Sequence, residues 1–254
     1  TMKKLLLILL CLPMVVLAQK TYVPDDIFEI YLEAQGMGDG ISLNDSVLTS
    51  NINTVGNLDV SSLSISDLTG IENFIALTHF SCGNNNLSSL DISNNTALTH
   101  FSCNDNQLAS LDLTNHTALI NLNCWTNQLT SLDLSNNTAL TNFTCSDNHQ
   151  LVSLDLTNHT IINLALDAMN NPNLYCIDVD NPSLASTIFT ASNGSIDSWA
   201  SFSNNCSGTS IQEYIKNKEL LKVTDLLGRE TKQTNQPLFY IYDDGTVEKR
   251  IVIE

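Results

Sequence analysis

Between residues 21 and 215 the sequence contains no lysine and no arginine. The chain's ten basic residues are Lys3, Lys4, Lys20 and seven from Lys216 onward, whereas 20 Asp and Glu fall in that central stretch. A surface without cations cannot neutralise phosphates, which excludes nucleic acid and anionic membranes as partners. Cations, basic proteins and neutral polysaccharides remain. The same lack removes the groups that stabilise an oxyanion or a transferring phosphoryl group. There is also no nucleophile motif and no glycine-rich phosphate loop, so the chain reads as a non-enzyme. Long apolar runs are missing too, apart from the stretch 5–17, which Pro13 interrupts and which is too short to span a bilayer comfortably. That run follows Met2-Lys3-Lys4 and ends at Ala18, the pattern of a secretory signal peptide over residues 1–18. Cys11 sits in it without preceding small residues, unlike a lipoprotein signal.

What is present is a repetition. Residues 87–150 write one phrase three times: LSSLDISNNTALTHFSCNDNQ, LASLDLTNHTALINLNCWTNQ and LTSLDLSNNTALTNFTCSDNHQ. The period is twenty-one, and the third copy is one longer because His149 is inserted. A fixed period in the twenties predicts a solenoid whose coils stack one on the next. Within a coil, Leu111 and Leu113 flank Asp112, and Leu122 and Cys124 flank Asn123. This period-2 alternation predicts two short strands per coil, each turning its apolar side inward. The Asn-rich residues 114–117 and 126–128 between them have turn composition. One coil's few apolar side chains cannot offset the entropy of ordering its backbone, so stability requires stacking and covered ends.

The phrases LxxLxCxxN and LxxLDLxxN resemble a bacterial leucine-rich repeat, of the short kind with two nested half-repeats. The matching columns are Leu98, Phe101, Cys103, Asn106; Leu119, Leu122, Cys124, Asn127; and Leu140, Phe143, Cys145, Asn148. The resemblance implies a right-handed leucine-rich repeat coil with mostly parallel strands on two sides. It also implies an asparagine ladder of Asn85, Asn106, Asn127 and Asn148 inside the turns. The phrase ISDLTGIENF at 65–74 is similar to repeats of internalin-like surface proteins.

Around this core, residues 19–57 read as an N-terminal cap. Pro24, Asp25 and Asp26 suit a first helical turn, Ile27, Phe28, Tyr31 and Leu32 form an apolar stripe, and Gly36 and Gly38 end it. The solenoid spans 58–179, with Leu58-Asp59-Val60 as a first LDL-like strand. Past residue 150 the pattern decays: Leu166 stands for the column cysteine, and 174–179 is a last LxxIDV strand. Residues 180–206, with Trp199 and Phe202, form a C-terminal cap. A Cys176–Cys206 disulfide is expected there. Closing about 30 residues would stabilise by about 3–4 kcal/mol in the chain-entropy model, and export permits it.

Residues 207–218 read as a linker. Residues 219–254 mix basic and acidic side chains with β-rich runs at 220–224, 238–242 and 247–253, and Asp244-Gly245 is a strong hairpin turn. This segment resembles a shortened type IX secretion system sorting domain, type A, at Asp225, Leu227, Gly228, Arg229, Gly245 and Lys249. The family's usual first strand with its Asn-Pro phrase is absent, as is the glycine before Tyr240. The resemblance implies passage across an outer membrane, followed by removal of the tail or attachment to the surface.

Five groups of residues are candidate sites. Cys82, Cys103, Cys124 and Cys145 recur at one fixed place in successive copies. A straight column of thiols cannot converge on one zinc ion. Disulfides between adjacent coils are conceivable, and the alternative is small, inert core residues. Asp91, Asp112, Asp133, Asp155 and Asp178 form an outward column, either a solvated face bonded by Ser89, Ser110, Ser131 and Ser153 or a site for calcium or a basic partner. On the other strand the outward residues are Ser81, Ser102, Asn123, Thr144, Gly83, Asn104, Trp125 and Ser146. Trp125, the sole large aromatic among them, suits a hot spot for a protein or a sugar ring. His79 and His100 share a column without acidic company. Asn94, Asn115, Asn136 and Asn158 open N-x-T phrases that the repeat itself explains. No cofactor is expected beyond calcium on the acidic face. The expected function is an exported or surface-bound module for an extracellular protein. The alternative is a polysaccharide or ordered-lattice binder using the rows Thr96, Thr117, Thr138 and Thr160.

Overall fold

The computed structural model describes residues 18–206 together with 220–224, 237–242 and 247–251. Its main feature is a six-stranded parallel sheet, one short strand per coil: β3 (Asn57–Asp59), β4 (His79–Ser81), β5 (His100–Ser102), β6 (Asn121–Asn123), β8 (Asn142–Thr144) and β10 (Ala165–Asp167). The register is continuous, with Leu58, Phe80, Phe101, Leu122, Phe143 and Leu166 paired in turn. All six point inward and are buried. Their flanking residues alternate outward, so the sheet presents a polar face while its other side forms the core. Phe80 and Phe101 stack inside, with ring centroids 5.7 Å apart.

A second parallel sheet joins β7 (Ser131–Asp133), β9 (Ser153–Asp155), β11 (Cys176–Asp178) and β12 (Ser201–Ser203). The expectation of two strands per coil therefore holds only from Ser131 onward. Residues 111–113 keep the alternation, with Leu111 and Leu113 buried, but form no ladder. Apolar alternation decides which side chains turn inward; a ladder also requires neighbouring backbones within about 4.8 Å.

Two row assignments change. Leu58-Asp59-Val60 belongs to the six-stranded sheet, where Leu58 pairs with Phe80 and Val60 precedes the place of Cys82. Apolar–Asp–apolar suits either row, so the pattern could not choose between them. Leu166 pairs with Phe143, and the buried Ala168 takes the place after Cys145. The inserted His149 had obscured that count.

The asparagine ladder is present. Asn106 is typical: its Oδ1 accepts from the Leu87 N–H at 3.0 Å, and its Nδ2 donates to the carbonyls of Cys82 and Cys103 at 3.0 and 3.1 Å. Asn85, Asn127 and Asn148 repeat the scheme, and Asn171 extends it by donating to Cys145 and Ala168. Buried amides thus supply the partners that turn backbone would otherwise lack. A second ladder runs through the opposite turns, where the buried Asn95, His116 and Asn137 each bond a carbonyl of the preceding coil; His159, buried in the same column, bonds the Thr157 carbonyl of its own turn instead.

At the N-terminal end, β1 (Lys20–Tyr22) pairs antiparallel with β2 (Ser46–Leu48), and α1 (Asp26–Ala34) lies between them in sequence. Asp25 caps α1 by accepting from the N–H groups of Ile27 and Phe28. Its second oxygen accepts from Ser66 and Asp67, tying the helix to the first coil. Phe28 and Leu32 are buried, and Phe28 stacks on Phe74 at 6.4 Å. Ile27, placed by the sequence on the apolar stripe, is 41% exposed. The buried third position is instead Glu29, whose carboxylate accepts from the backbone of Asn44 and Asp45. Gly36 follows the helix at φ +73°, a left-handed conformation that glycine adopts without a Cβ clash.

At the other end α2 (Pro182–Ile188) is capped by Asn181, and the Cys176–Cys206 disulfide closes a sequence separation of 30 with Cα atoms 5.8 Å apart. Strands β13 (Leu220–Thr224), β14 (Pro237–Tyr242) and β15 (Val247–Ile251) form a separate antiparallel sheet. Residues 1–17 of the expected signal peptide (1–18), the expected linker, and Asp225, Leu227, Gly228, Arg229 and Gly245 lie outside the described residues, as does the side chain of Lys249.

Candidate functional site: the polar face of the six-stranded sheet

The outward residues of the six-stranded sheet form two continuous rows. One reads Asn57, His79, His100, Asn121, Asn142, Ala165; the other reads Asp59, Ser81, Ser102, Asn123, Thr144, Asp167. From Asn57 and Asp59 to Asn142 and Thr144 they line a groove of about 540 Å³. Amides, hydroxyls and two imidazoles fill its middle, and a carboxylate stands at each end of the second row. Such a face offers hydrogen bonds in both directions and no cation.

The rows are held by the backbone beneath them. Thr78 and Thr99 precede the histidines, and each threonine hydroxyl donates to a carbonyl of the preceding coil, Gly56 at 3.0 Å and Thr78 at 2.9 Å. Each hydroxyl also meets the Nδ1 of the following histidine at 3.0 Å. The His79 and His100 rings stack with centroids 4.4 Å apart and planes within 7°. Asn142 repeats the arrangement, donating to Thr141 Oγ1 at 3.0 Å and to Asn121 Oδ1 at 2.7 Å.

Trp125 lies one alternation beyond these rows, in a column with Gly83, Asn104 and Ser146. It is half-buried, its backbone N–H donates to Asn123 Oδ1 at 3.4 Å, and it is not among the groove's lining residues. Asn104 covers Gly83 so closely that a Cβ there would come within 2.5 Å of the asparagine Oδ1. The next residue, Thr126, has φ +50°, a conformation that Asn84, Asp105, Asp147 and Asn170 adopt in the other coils. Asn and Asp tolerate it, whereas a β-branched threonine is strained there. Trp125 and Thr126 together form the one irregular step in an otherwise regular face.

The aspartate column lies elsewhere. Asp133, Asp155 and Asp178 pair in register along the second sheet, so Trp125 and the aspartates do not share a surface row. Asp178 accepts from the Cys206 N–H at 2.7 Å, whereas the other carboxylates of the column are bonded by the residues two positions later and not by the serines alongside. Asp91, Asp112, Asp133 and Asp155 accept from the N–H groups of Ser93, Thr114, Ser135 and Thr157 at 2.8–3.0 Å. Backbone and hydroxyl bonds from Ser93 and Thr114 hold Asp91 and Asp112 below the usual carboxylate range, although at Asp91 the like charge of Asp112 opposes this. The column thus shapes the turn after each strand. Among the described residues, the three carboxylates whose oxygens lie within 4.8 Å of one another are Asp26, Glu29 and Asp45, which sequence spacing gave no reason to group.

The four column cysteines are free and fully buried. Burial pushes every one of their thiols up, Cys124 to about 12, so they are inert as nucleophiles.

No protein family matches the chain, and no curated protein is similar to it. Among solved structures it is similar to the functional domain of InlJ from Listeria monocytogenes, described as including a cysteine ladder. The two are 34% identical over 64% of this chain and 38% of that one, with a TM-score of 0.43. The internalin inlF of Listeria monocytogenes strain 4b F2365 is 19% identical over 62% of this chain and 56% of its own, with a TM-score of 0.39. This chain therefore spans less than two thirds of either protein.

Proposed function

We propose that this chain is an exported leucine-rich repeat module for binding or adhesion, recognising a protein partner through the polar face of its six-stranded sheet. The observation that carries this reading is the groove: two registered rows of amide, hydroxyl and imidazole groups on a rigid parallel sheet, flanked by Asp59 and Asp167. A sheet whose other side is locked into a ladder-bonded core presents these groups with little entropy left to lose on binding. The absence of Lys and Arg from 21–215 favours a basic partner. Trp125 at the rim would add aromatic contact area. The Asp91, Asp112, Asp133 and Asp155 column is the second candidate surface, where calcium or a basic segment would sit. The disulfide fits an oxidising, exported setting. The signal peptide and the type IX sorting resemblance at Asp225, Gly228, Arg229, Gly245 and Lys249 supply the proposed route to the cell surface.

Polysaccharide or lattice binding is the second reading. It is favoured by the exposure of Thr96, Thr117, Thr138 and Thr160, a row of hydroxyls repeating with the coils.

Protein and glycan arrays probed with the purified chain, with and without calcium, separate the two. Protein spots lost with Asn123→Arg and retained with Asp112→Ser support the groove. Glycan binding that survives Asn123→Arg overturns it in favour of the threonine row, and binding unchanged by Trp125→Ala removes that residue from the contact.

A further inference from the structure

Two histidines on one strand row were unremarkable in the sequence; their hydrogen bonds make them a site. A hydroxyl carries one hydrogen. Thr78 Oγ1 spends its hydrogen on the Gly56 carbonyl and Thr99 Oγ1 on the Thr78 carbonyl. Toward the imidazoles both hydroxyls can therefore only accept. The hydrogen at each contact must belong to Nδ1 of His79 and of His100. Asn142, in the same row, confirms the polarity: its amide N–H donates to Thr141 Oγ1. In a neutral imidazole with hydrogen on Nδ1, Nε2 is a bare lone pair. The chain thus holds two parallel rings, 4.4 Å apart and neither of them buried, with the same tautomer imposed on both.

We propose that His79 and His100 together bind one divalent transition-metal ion of the Cu(II), Ni(II) or Zn(II) class through their Nε2 atoms. Imidazole nitrogen is a preferred ligand for these ions. A donor bond from the opposite ring nitrogen to a fixed oxygen is the arrangement that orients metal-binding histidines, and here Thr78 and Thr99 provide it. Bonds of about 2.0–2.1 Å to both nitrogens require the near-parallel rings to tilt their tips toward one another, for which the open groove has room. Asp59 lines the same groove, and the chain's formal net charge of −17 raises the local concentration of cations. The remaining coordination positions open onto the groove and are filled by water. The site does not depend on a protein partner occupying the face.

The test uses Cu(II) and the purified chain. His149, an exposed imidazole 3.9 Å from Asp147, is first replaced by Asn so that it does not compete. Asparagine is also the replacement at positions 79 and 100, because Asn57, Asn121 and Asn142 already occupy that row and preserve the fold. Thermal melts check this. Titration of the His149→Asn chain followed by electron paramagnetic resonance should show one Cu(II) with two imidazole nitrogens. Adding either His79→Asn or His100→Asn should lower the affinity at least 100-fold and remove the two-nitrogen signature. Thr78→Val with Thr99→Val, which frees the tautomers while leaving both ligands, should weaken binding about 10–100-fold. A His149→Asn chain without a two-imidazole signal overturns the proposal. So does a His79→Asn variant whose affinity stays within threefold.

Discussion

Replacing Asn106 by alanine tests the ladder that fixes how the coils stack. The side chain is buried and makes four hydrogen bonds: it accepts from Leu87 N–H and donates to the carbonyls of Cys82, Cys103 and Asn104. These losses are unequal. The Cys82 carbonyl keeps a donor in Asn85 at 3.0 Å, and the Cys103 carbonyl keeps one in Asn127 at 3.0 Å. Leu87 N–H, on a fully buried residue, loses the acceptor that holds it. A stranded buried donor costs about 2 kcal/mol, and each carbonyl that drops to one donor about 1 kcal/mol, giving about 4 kcal/mol. That places Asn106→Ala among the most damaging single substitutions. Urea unfolding followed by circular dichroism reads it as a lowered midpoint at unchanged slope. Asn104→Ala, on the polar face, should cost under about 1 kcal/mol. Asn106→Asp should be worse than alanine at neutral pH, because a carboxylate aims its charge at three carbonyl oxygens. An Asn106→Ala loss below about 1 kcal/mol at unchanged slope would refute the reasoning, since the ladder would then contribute little beyond solvent.

The remaining expectations concern strain, pH and sulfur. Thr126→Asn should stabilise by about 1 kcal/mol by relieving the left-handed backbone at φ +50°, and Asp105→Thr should cost a similar amount, both read from urea midpoints. His116 is buried, and burial holds its pKa below the ordinary value despite its hydrogen bonds to the backbone of Ile92 and Leu113. Its neutral form is therefore the folded one: the stability it contributes is full above the unfolded-state value near 6.5 and is lost as pH falls below it. His116→Asn, which copies Asn95 and Asn137, should flatten stability between pH 7.5 and 5. Cys82, Cys103, Cys124 and Cys145 should resist iodoacetamide in the native state and react together on unfolding, whereas Cys176→Ser with Cys206→Ser should lower stability by about 3–4 kcal/mol.

Legibility followed periodicity. Columns that recur in every copy of the repeat declare their facing, so the inward leucines and the cysteine column were readable in order, while the first asparagine ladder followed from the resemblance to leucine-rich repeats. The second ladder was not legible, because it alternates Asn95, His116, Asn137 and His159, and a mixed column does not announce a shared role. The candidate site was half legible. Its outward residues were identified, but Trp125 drew attention by its size, whereas the groove is lined by the small polar residues beside it.

That this chain stacks coils, which residues face the core, and that residues 21–215 carry no Lys or Arg could be read from the order of amino acids alone. Repetition and composition are properties of the string, and stacking is the arrangement that buries every copy of the same apolar set. Which row Leu58 and Leu166 join emerged from the folded chain, because the apolar–polar–apolar pattern suits either sheet. Only the fold showed that the aspartates bond the turn that follows them, since a side chain's partner is settled by reach and not by adjacency. Tertiary structure also turned His79 and His100 into a pair with defined tautomers. That required three hydrogen-bonding groups from successive coils, Gly56, Thr78 and Thr99, which lie a whole coil apart in the chain and become adjacent only after it has folded.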